Sequence, residues 1–108
     1  MTIKLSTLPG ANPPADIENL DALPAPAKEL LDGRIYATVA TLRKSGPPHV
    51  TVVWCDRDSD YVYINSSKGR IKDRNLRERP EITLHLLNPA NSYHWLSIEG
   101  TVIEMTDE

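Results

Sequence analysis

The residues best suited to chemistry lie in one short segment, residues 66–79, which combines hydroxyl groups, a glycine and basic side chains. Six of the twelve Lys and Arg residues fall in it, although the formal net charge of the chain is -3. Ser66, Ser67 and Gly69 precede a short helical pattern, so hydroxyls and free backbone N–H groups converge at the positive end of a helix dipole. This arrangement predicts a phosphate site. The basic residues are Lys68, Arg70, Lys72, Arg74, Arg77 and Arg79.

The same charges can also be explained as the solvated face of a helix, on which the basic residues balance Asp73 and Glu78. The order strand, Ser-Ser-x-Gly, helix favours a binding site over that reading. Neither Gly-x-x-x-x-Gly-Lys-Ser/Thr nor Gly-x-Gly-x-x-Gly occurs, so the site is not a P-loop or a dinucleotide fingerprint.

A phosphate alone does not give useful affinity. Two or three charge-assisted hydrogen bonds contribute about 1.5–3 kcal/mol each, whereas micromolar binding requires roughly 8 kcal/mol after ordering costs. A planar group must therefore be buried beside the phosphate. The available walls are Trp54, Tyr63, Tyr93, Trp95 and the β-branched run of residues 50–53, each of which can equally be explained as core packing.

The sequence lacks the residue patterns that metal binding or thiol catalysis would require. His49, His85 and His94 are dispersed, and no Cys-x-x-Cys or His-x-x-x-His spacing predicts a metal site. The lone Cys55 has no evident base partner and is expected to be an inert thiol. We therefore predict no metal and name no catalytic side chain, which favours chemistry supplied by a bound cofactor.

The elements that position this segment are mostly strands. A period of two, with β-branched residues and turn signals between the runs, predicts five strands with one helix inserted between the third and fourth. Such an order is typical of a mainly β protein with a Greek-key or meander barrel. The predicted strands are residues 34–42, 49–55, 61–65, 82–87 and 93–103, and the predicted helices begin at Pro26 and Arg70.

Length and composition limit the organisation and the partners. The 108 residues suffice for one domain. Residues 1–25 are rich in proline and lack a sustained apolar period, so they predict an extended N-terminal arm before a domain at residues 26–108. The acidic balance gives no general attraction to nucleic acid or to anionic membranes. One cysteine and the lack of a long apolar run or secretory signal predict a cytoplasmic protein.

Three stretches resemble the pyridoxamine 5'-phosphate oxidase-like family, most closely its branch that uses coenzyme F420. They are residues 31–42, 45–54 and 63–80, and the most specific part is residues 69–80, Gly-Arg-Ile-Lys-Asp-Arg-Asn-Leu-Arg-Glu-Arg-Pro. The resemblance extends from about Leu30 to Ile103.

The resemblance implies an FMN-binding-like split β-barrel that forms a homodimer, with the cofactor in a groove at the subunit interface. It implies hydride transfer between coenzyme F420 and a small electron-poor substrate, with FMN as the alternative cofactor. Arg70, Lys72 and Asn75 would hold the phosphate region, and Lys68, Arg74 and Arg77 suit a charged tail. The cofactor-binding residues by matching position are Val50, Thr51, Val52, Val53, Asn65, Ser66, Ser67, Lys68, Arg70, Lys72 and Asn75.

Members of the family usually continue through further strands and a helix where this sequence ends at Glu108. We therefore expect a barrel that is incomplete at its C-terminal side, and this leaves open a second hypothesis, a non-catalytic flavin- or deazaflavin-binding protein. A third, a nucleic-acid-binding barrel, is disfavoured because the aromatic residues are not interleaved with the basic run.

Overall fold

The computed structural model describes residues 1–7, 19–67 and 69–106. Within these residues the strands are β1 (Thr2–Thr7), β2 (Ala37–Leu42), β3 (Pro48–Val53), β4 (Cys55–Arg57), β5 (Val62–Asn65), β6 (Glu81–Leu87) and β7 (Trp95–Thr106). The helices of the described part are α1 (Ala25–Asp32) and α2 (Ile71–Glu78), with a 3₁₀ turn at Leu20–Ala22. None of them is long and apolar enough to cross a bilayer.

The strands form one antiparallel sheet in the order β3-β2-β6-β7-β1-β5-β4. The two edge strands, β3 and β4, are consecutive in the chain and are joined by Trp54 alone. The sheet must therefore curl until its two edges converge at Trp54, which encloses the apolar side chains of its inner face. The sequence-based prediction of a mainly β protein with short helices is confirmed.

The first strand corrects the expectation of an N-terminal arm outside the barrel. Residues 2–7 lie inside the sheet, between β7 and β5. Ile3 and Leu5 alternate with polar residues and are 0% and 1% exposed, because both neighbouring strands cover their face. Leu20, in the 3₁₀ turn, is also buried. The remainder of the predicted arm, residues 8–18, lies outside the described residues.

Three predicted strands differ from the observed ones. The strand predicted at residues 34–42 begins only at Ala37, because Arg34 lies in the turn after α1. The predicted strand at residues 49–55 is divided at Trp54, because β3 pairs with β2 whereas β4 pairs with β5. The last strand continues to Thr106, since its C-terminal half pairs with β1, a partner that the sequence analysis had not assigned to the sheet.

α1 closes one side of the barrel. Leu30 and Leu31 are buried against the sheet core. Arg57 of β4 donates to Asp32 at 2.7 Å and to Asp21 at 2.9 Å, so one guanidinium ties α1 and the 3₁₀ turn to the sheet. This hydrogen bonding from Arg57 holds the pKa of Asp32 below its usual range.

Candidate functional site

The loop that leads into α2 is closed by an acidic side chain of the helix itself. Gly69 has φ +83, a conformation that glycine adopts without a steric penalty. Its N–H donates to the carboxylate of Asp73 at 2.7 Å, and the same carboxylate accepts from Arg77 at 2.7 Å. Asp73 is buried and acts much as the acidic residue of a capping box does. The carboxylate of Asp73 is thus already occupied by its hydrogen bonds to Gly69 and Arg77.

Lys72, on the first turn of α2, is the most unusual residue of the segment. Its side chain is buried, with the residue 7% exposed. The ammonium donates to Thr51 Oγ1 at 2.9 Å, and no carboxylate of the described residues forms an ion pair with it. Burial, together with the nearby Arg70, lowers the pKa of Lys72. An ammonium has three donors, and only one of them has a partner among the described residues. A buried charge also requires a negative partner, and none is found among these residues.

Asn75, one turn further along α2, faces the sheet. Its Nδ2 donates to Thr41 Oγ1 of β2 at 3.0 Å, and both residues are buried. Lys72 and Asn75 therefore fasten the same face of α2 to two adjacent strands, β3 and β2.

Two further polar atoms of this region are buried without a partner among the described residues. They are Ser66 Oγ, in the loop before α2, and His49 Nδ1, on β3. The backbone N–H of Ser66 donates to the carbonyl oxygen of Met1 at 3.0 Å, which fixes the loop to β1. Burial, with smaller effects from Arg43 and Lys72, lowers the pKa of His49. Unpaired buried polar atoms are rare in native proteins and call for a ligand or ordered water.

β3 presents two different faces, as its alternation requires. Thr51 and Val53 point inward, whereas Val50 and Val52 are 56% and 58% exposed. Tyr36 and Trp54 stack beside them with ring centroids 4.0 Å apart. We call the exposed apolar side of strands β3, β2 and β6 and of the first residues of β7 the outer face. Its large apolar residues are Tyr36, Leu42, Val50, Val52, Trp54, Leu87 and Trp95.

A cleft of about 630 Å³ is bordered by Trp54. Its volume is in the range of small-molecule sites. Burial, followed by Asp56 and Asp32, raises the pKa of Cys55, so its thiol stays protonated and is a poor nucleophile. The residues around the cleft are Leu31, Asp32, Arg34, Trp54, Cys55, Asp56, Tyr63 and Asn65.

The predicted site residues are thus brought together only in part. Lys72 of α2 and Thr51 of β3 contact each other. Ser66 lies in the loop before α2, and Ser67 and Arg70 are exposed in the same loop. Asn65 accepts a hydrogen bond from Thr2 and borders the cleft. Val50, Val52 and Val53 lie on the two faces of β3, Asn75 lies on α2 itself, and Lys68 lies outside the described residues.

Sequence reasoning missed the buried polar residues around Lys72. Thr41 and His49 are cross-strand partners that only the β2–β3 register brings together. The role of Asp73 did have a local signal, since an acidic residue at the third position of a helix with Arg four residues later is typical of a capped first turn.

Comparison with known proteins identifies the class. The family model described as pyridoxamine 5'-phosphate oxidase matches residues 23–108. The chain belongs to this family, and the resemblance inferred from its sequence is confirmed.

A solved structure titled F420 Reductase has a similar fold, with a TM-score of 0.72 and 28% sequence identity. The match covers 76% of this chain and 65% of that one, so the chain spans less than two thirds of that protein's length. The predicted split β-barrel fold is confirmed by this match. The comparison with curated proteins gives no match.

Proposed function

We propose that this protein is an oxidoreductase that uses a flavin or deazaflavin cofactor, and that the cofactor is coenzyme F420 rather than FMN. Membership of the pyridoxamine 5'-phosphate oxidase family and the likeness to an F420 reductase support this class of activity. When bound in its reduced form, the cofactor would supply a hydride to a small electron-poor substrate.

The observation that carries the proposal is the largely buried side chain of Lys72, whose ammonium has a neutral hydroxyl as its partner and no carboxylate among the described residues. A cation buried in this way is costly unless an anion joins it. The unpartnered Ser66 Oγ precedes the same helix, whose N-terminal N–H groups favour negative charge. The residues present therefore fit a phosphate-bearing group.

Each residue then has a distinct task. Lys72 and Ser66 bind the phosphate, while Arg70 and Ser67 contact it from the exposed side of the loop. Asn75 positions α2 through Thr41 and does not need to touch the ligand. The backbone and exposed side chains of residues 50–53 form the wall along the ring system. The cleft bordered by Trp54 has room for a molecule larger than phosphate and shares Asn65 with the predicted cofactor residues.

We also propose that the active form is a homodimer joined through the outer face. Contiguous exposed apolar patches on soluble proteins mark interaction sites. Val50, Val52, Tyr36 and Trp54 are each more than half exposed, and Val50 and Val52 also belong to the predicted cofactor wall. A second copy seated there would bury these side chains and close the groove over the ring.

The test is a titration of the purified protein with coenzyme F420 and, separately, with FMN, followed by cofactor fluorescence. The variant Lys72→Met removes the buried charge, and Lys44→Met removes an exposed lysine from the turn between β2 and β3 as a matched control. A hydrogen bond to a charged group contributes about 1.5–3 kcal/mol. We therefore expect Lys72→Met to weaken binding of the preferred cofactor about 10- to 100-fold, with Lys44→Met unchanged.

Turnover with an artificial electron acceptor then distinguishes an enzyme from a binding protein. Saturable binding that depends on Lys72, with cofactor-dependent reduction of the acceptor, supports the proposal. Binding without turnover would identify a cofactor-binding protein instead, and tighter binding of FMN would assign the other cofactor. No binding of either would overturn the proposed function.

A further inference from the structure

His49 lies in a polar layer that separates α2 from the β2–β3 pair. It is paired in register with Thr41, and it precedes Thr51 by two residues on the same face of β3. Thr41 accepts from Asn75 and Thr51 accepts from Lys72. The imidazole therefore shares a face with the hydroxyl that holds the Lys72 ammonium.

The surroundings of His49 disfavour the protonated form of its ring in the ligand-free protein, because burial and two nearby cations lower its pKa. Its Nδ1 is buried and has no partner among the described residues. The charged groups that act on it are Arg43, from the turn after β2, and Lys72, from α2. The facing side chains of Thr41, Thr51 and Asn75 are uncharged. Arg79, which follows α2, donates to the Leu42 carbonyl and to Glu78 and is thereby held at the end of β2.

We propose that His49 is a ligand of the anion held by Lys72 and that it takes up a proton as the anion binds, which couples cofactor affinity to pH. This inference rests on the proposed phosphate site. An unpartnered ring nitrogen is free to be a donor or an acceptor, and an anion beside it opposes the field that the two cations create. An opposite charge within about 4–6 Å shifts a pKa by roughly 1–3 units.

The direction of the coupling follows from linkage. The pKa of His49 is low in the free protein and higher in the complex, so between these two values the complex holds more protons. Affinity therefore rises as the pH falls through that window, by up to about tenfold per pH unit for one proton. The affinity becomes independent of pH below the pKa of His49 in the free protein and above its pKa in the complex.

The experiment uses sulfate as the probe, because its double negative charge is constant where histidine titrates. The ring signals of the three histidines are followed by NMR against pH, with and without saturating sulfate, and are assigned with the variants His49→Gln, His85→Gln and His94→Gln. We expect sulfate to raise the pKa of His49 by about one unit or more. His85, on the outer side of β6, serves as the matched control and should not move.

Sulfate affinity is then measured against pH in the wild type and in His49→Gln. We expect the wild type to lose affinity with rising pH across the window, and His49→Gln to bind with no such dependence. A cooperative thermal melting transition of His49→Gln serves as the control that the variant is folded. If sulfate binds too weakly to saturate the site, the same ring titration is read in F420-saturated protein.

The outcomes separate this inference from the proposed function. Anion binding with an unchanged pKa of His49, or with the same pH dependence in His49→Gln, overturns the inference and leaves the phosphate site in place. Absence of binding of sulfate, FMN and coenzyme F420 at every pH overturns both.

Discussion

At the scale of single residues, the site is defined by groups whose burial is not matched by partners. Most buried polar atoms in folded proteins are hydrogen-bonded. Here the Lys72 ammonium has one neutral partner, and Ser66 Oγ and His49 Nδ1 have none among the described residues. Asp73 is equally buried but fully used by Gly69 and Arg77. The contrast separates the residues that hold the helix from those that are free to hold a ligand.

We expect an ammonium buried without an anionic partner to reduce the stability of the ligand-free protein. Lys72→Met keeps most of the aliphatic volume and removes the buried charge, and a buried unsatisfied polar group costs about 1–3 kcal/mol. We expect the variant to melt higher than the wild type, by roughly 4–8 °C if the gain is about 1 kcal/mol. Lys44→Met, at an exposed position, should change the melting temperature little.

Melting curves of the ligand-free proteins provide the measurement. A clear decrease in the melting temperature of Lys72→Met would mean that the ammonium is already compensated in the ligand-free state. That result would remove the main support for an anion at this position.

At the scale of elements, β1 supports both the core and the site. It lies between β7 and β5, and Met1, immediately before it, accepts the N–H of Ser66 at 3.0 Å. The loop that carries the unpartnered Ser66 hydroxyl is therefore anchored by a segment more than sixty residues earlier in the chain. α2 is anchored separately, through Lys72 to β3 and through Asn75 to β2.

The contribution of β1 can be measured with two isoleucines. Ile3 is 0% exposed and Ile103, on β7, is 51% exposed. Replacing a buried isoleucine by alanine costs about 2–5 kcal/mol because apolar burial is lost and a cavity is left. We expect Ile3→Ala to lower the free energy of unfolding in urea by this amount, and Ile103→Ala by less than about 1 kcal/mol.

Equal and small effects of the two substitutions would contradict the assignment of β1 to the barrel core. A loss in Ile3→Ala accompanied by weaker cofactor binding would extend the role of β1 to the Ser66 loop.

At the scale of the whole molecule, the proposed homodimer depends on the outer face. The inner face of the sheet is filled by the core, yet Val50, Val52, Tyr36 and Trp54 remain more than half exposed on the opposite side. In a two-fold dimer each residue of the interface occurs twice, so one charged substitution places two charges in the same interface.

Val52→Asp tests the homodimer directly. We expect the wild type to have twice the chain mass of 12.1 kDa in solution and Val52→Asp to be monomeric, with weaker cofactor binding. Ile103→Asp, at the opposite end of β7 from Trp95 and similarly exposed, should remain dimeric. Light scattering during gel filtration provides the masses. A monomeric wild type, or a dimer unaffected by Val52→Asp, would exclude this face as the interface.

The sequence by itself determined the class of the protein and the position of the segment on which we propose the site. Alternation over residues 34–42 and 82–87 predicted strands that the structure contains, because a period of two follows from local backbone geometry. The basic run after Ser66 and Ser67 predicted the position of α2 to within a residue. These features depend on near neighbours in the chain, so the sequence records them directly.

The tertiary structure alone decided which of these residues are buried and what they meet. It placed β1 inside the sheet, divided a predicted strand at Trp54, and brought Thr41, His49 and Thr51 under α2. Lys72 and Arg74 look equivalent in the sequence, yet one is buried and the other exposed. The physical reason is that burial and pairing depend on strands distant in sequence, such as β1 against β7, and no local pattern records which strands become neighbours.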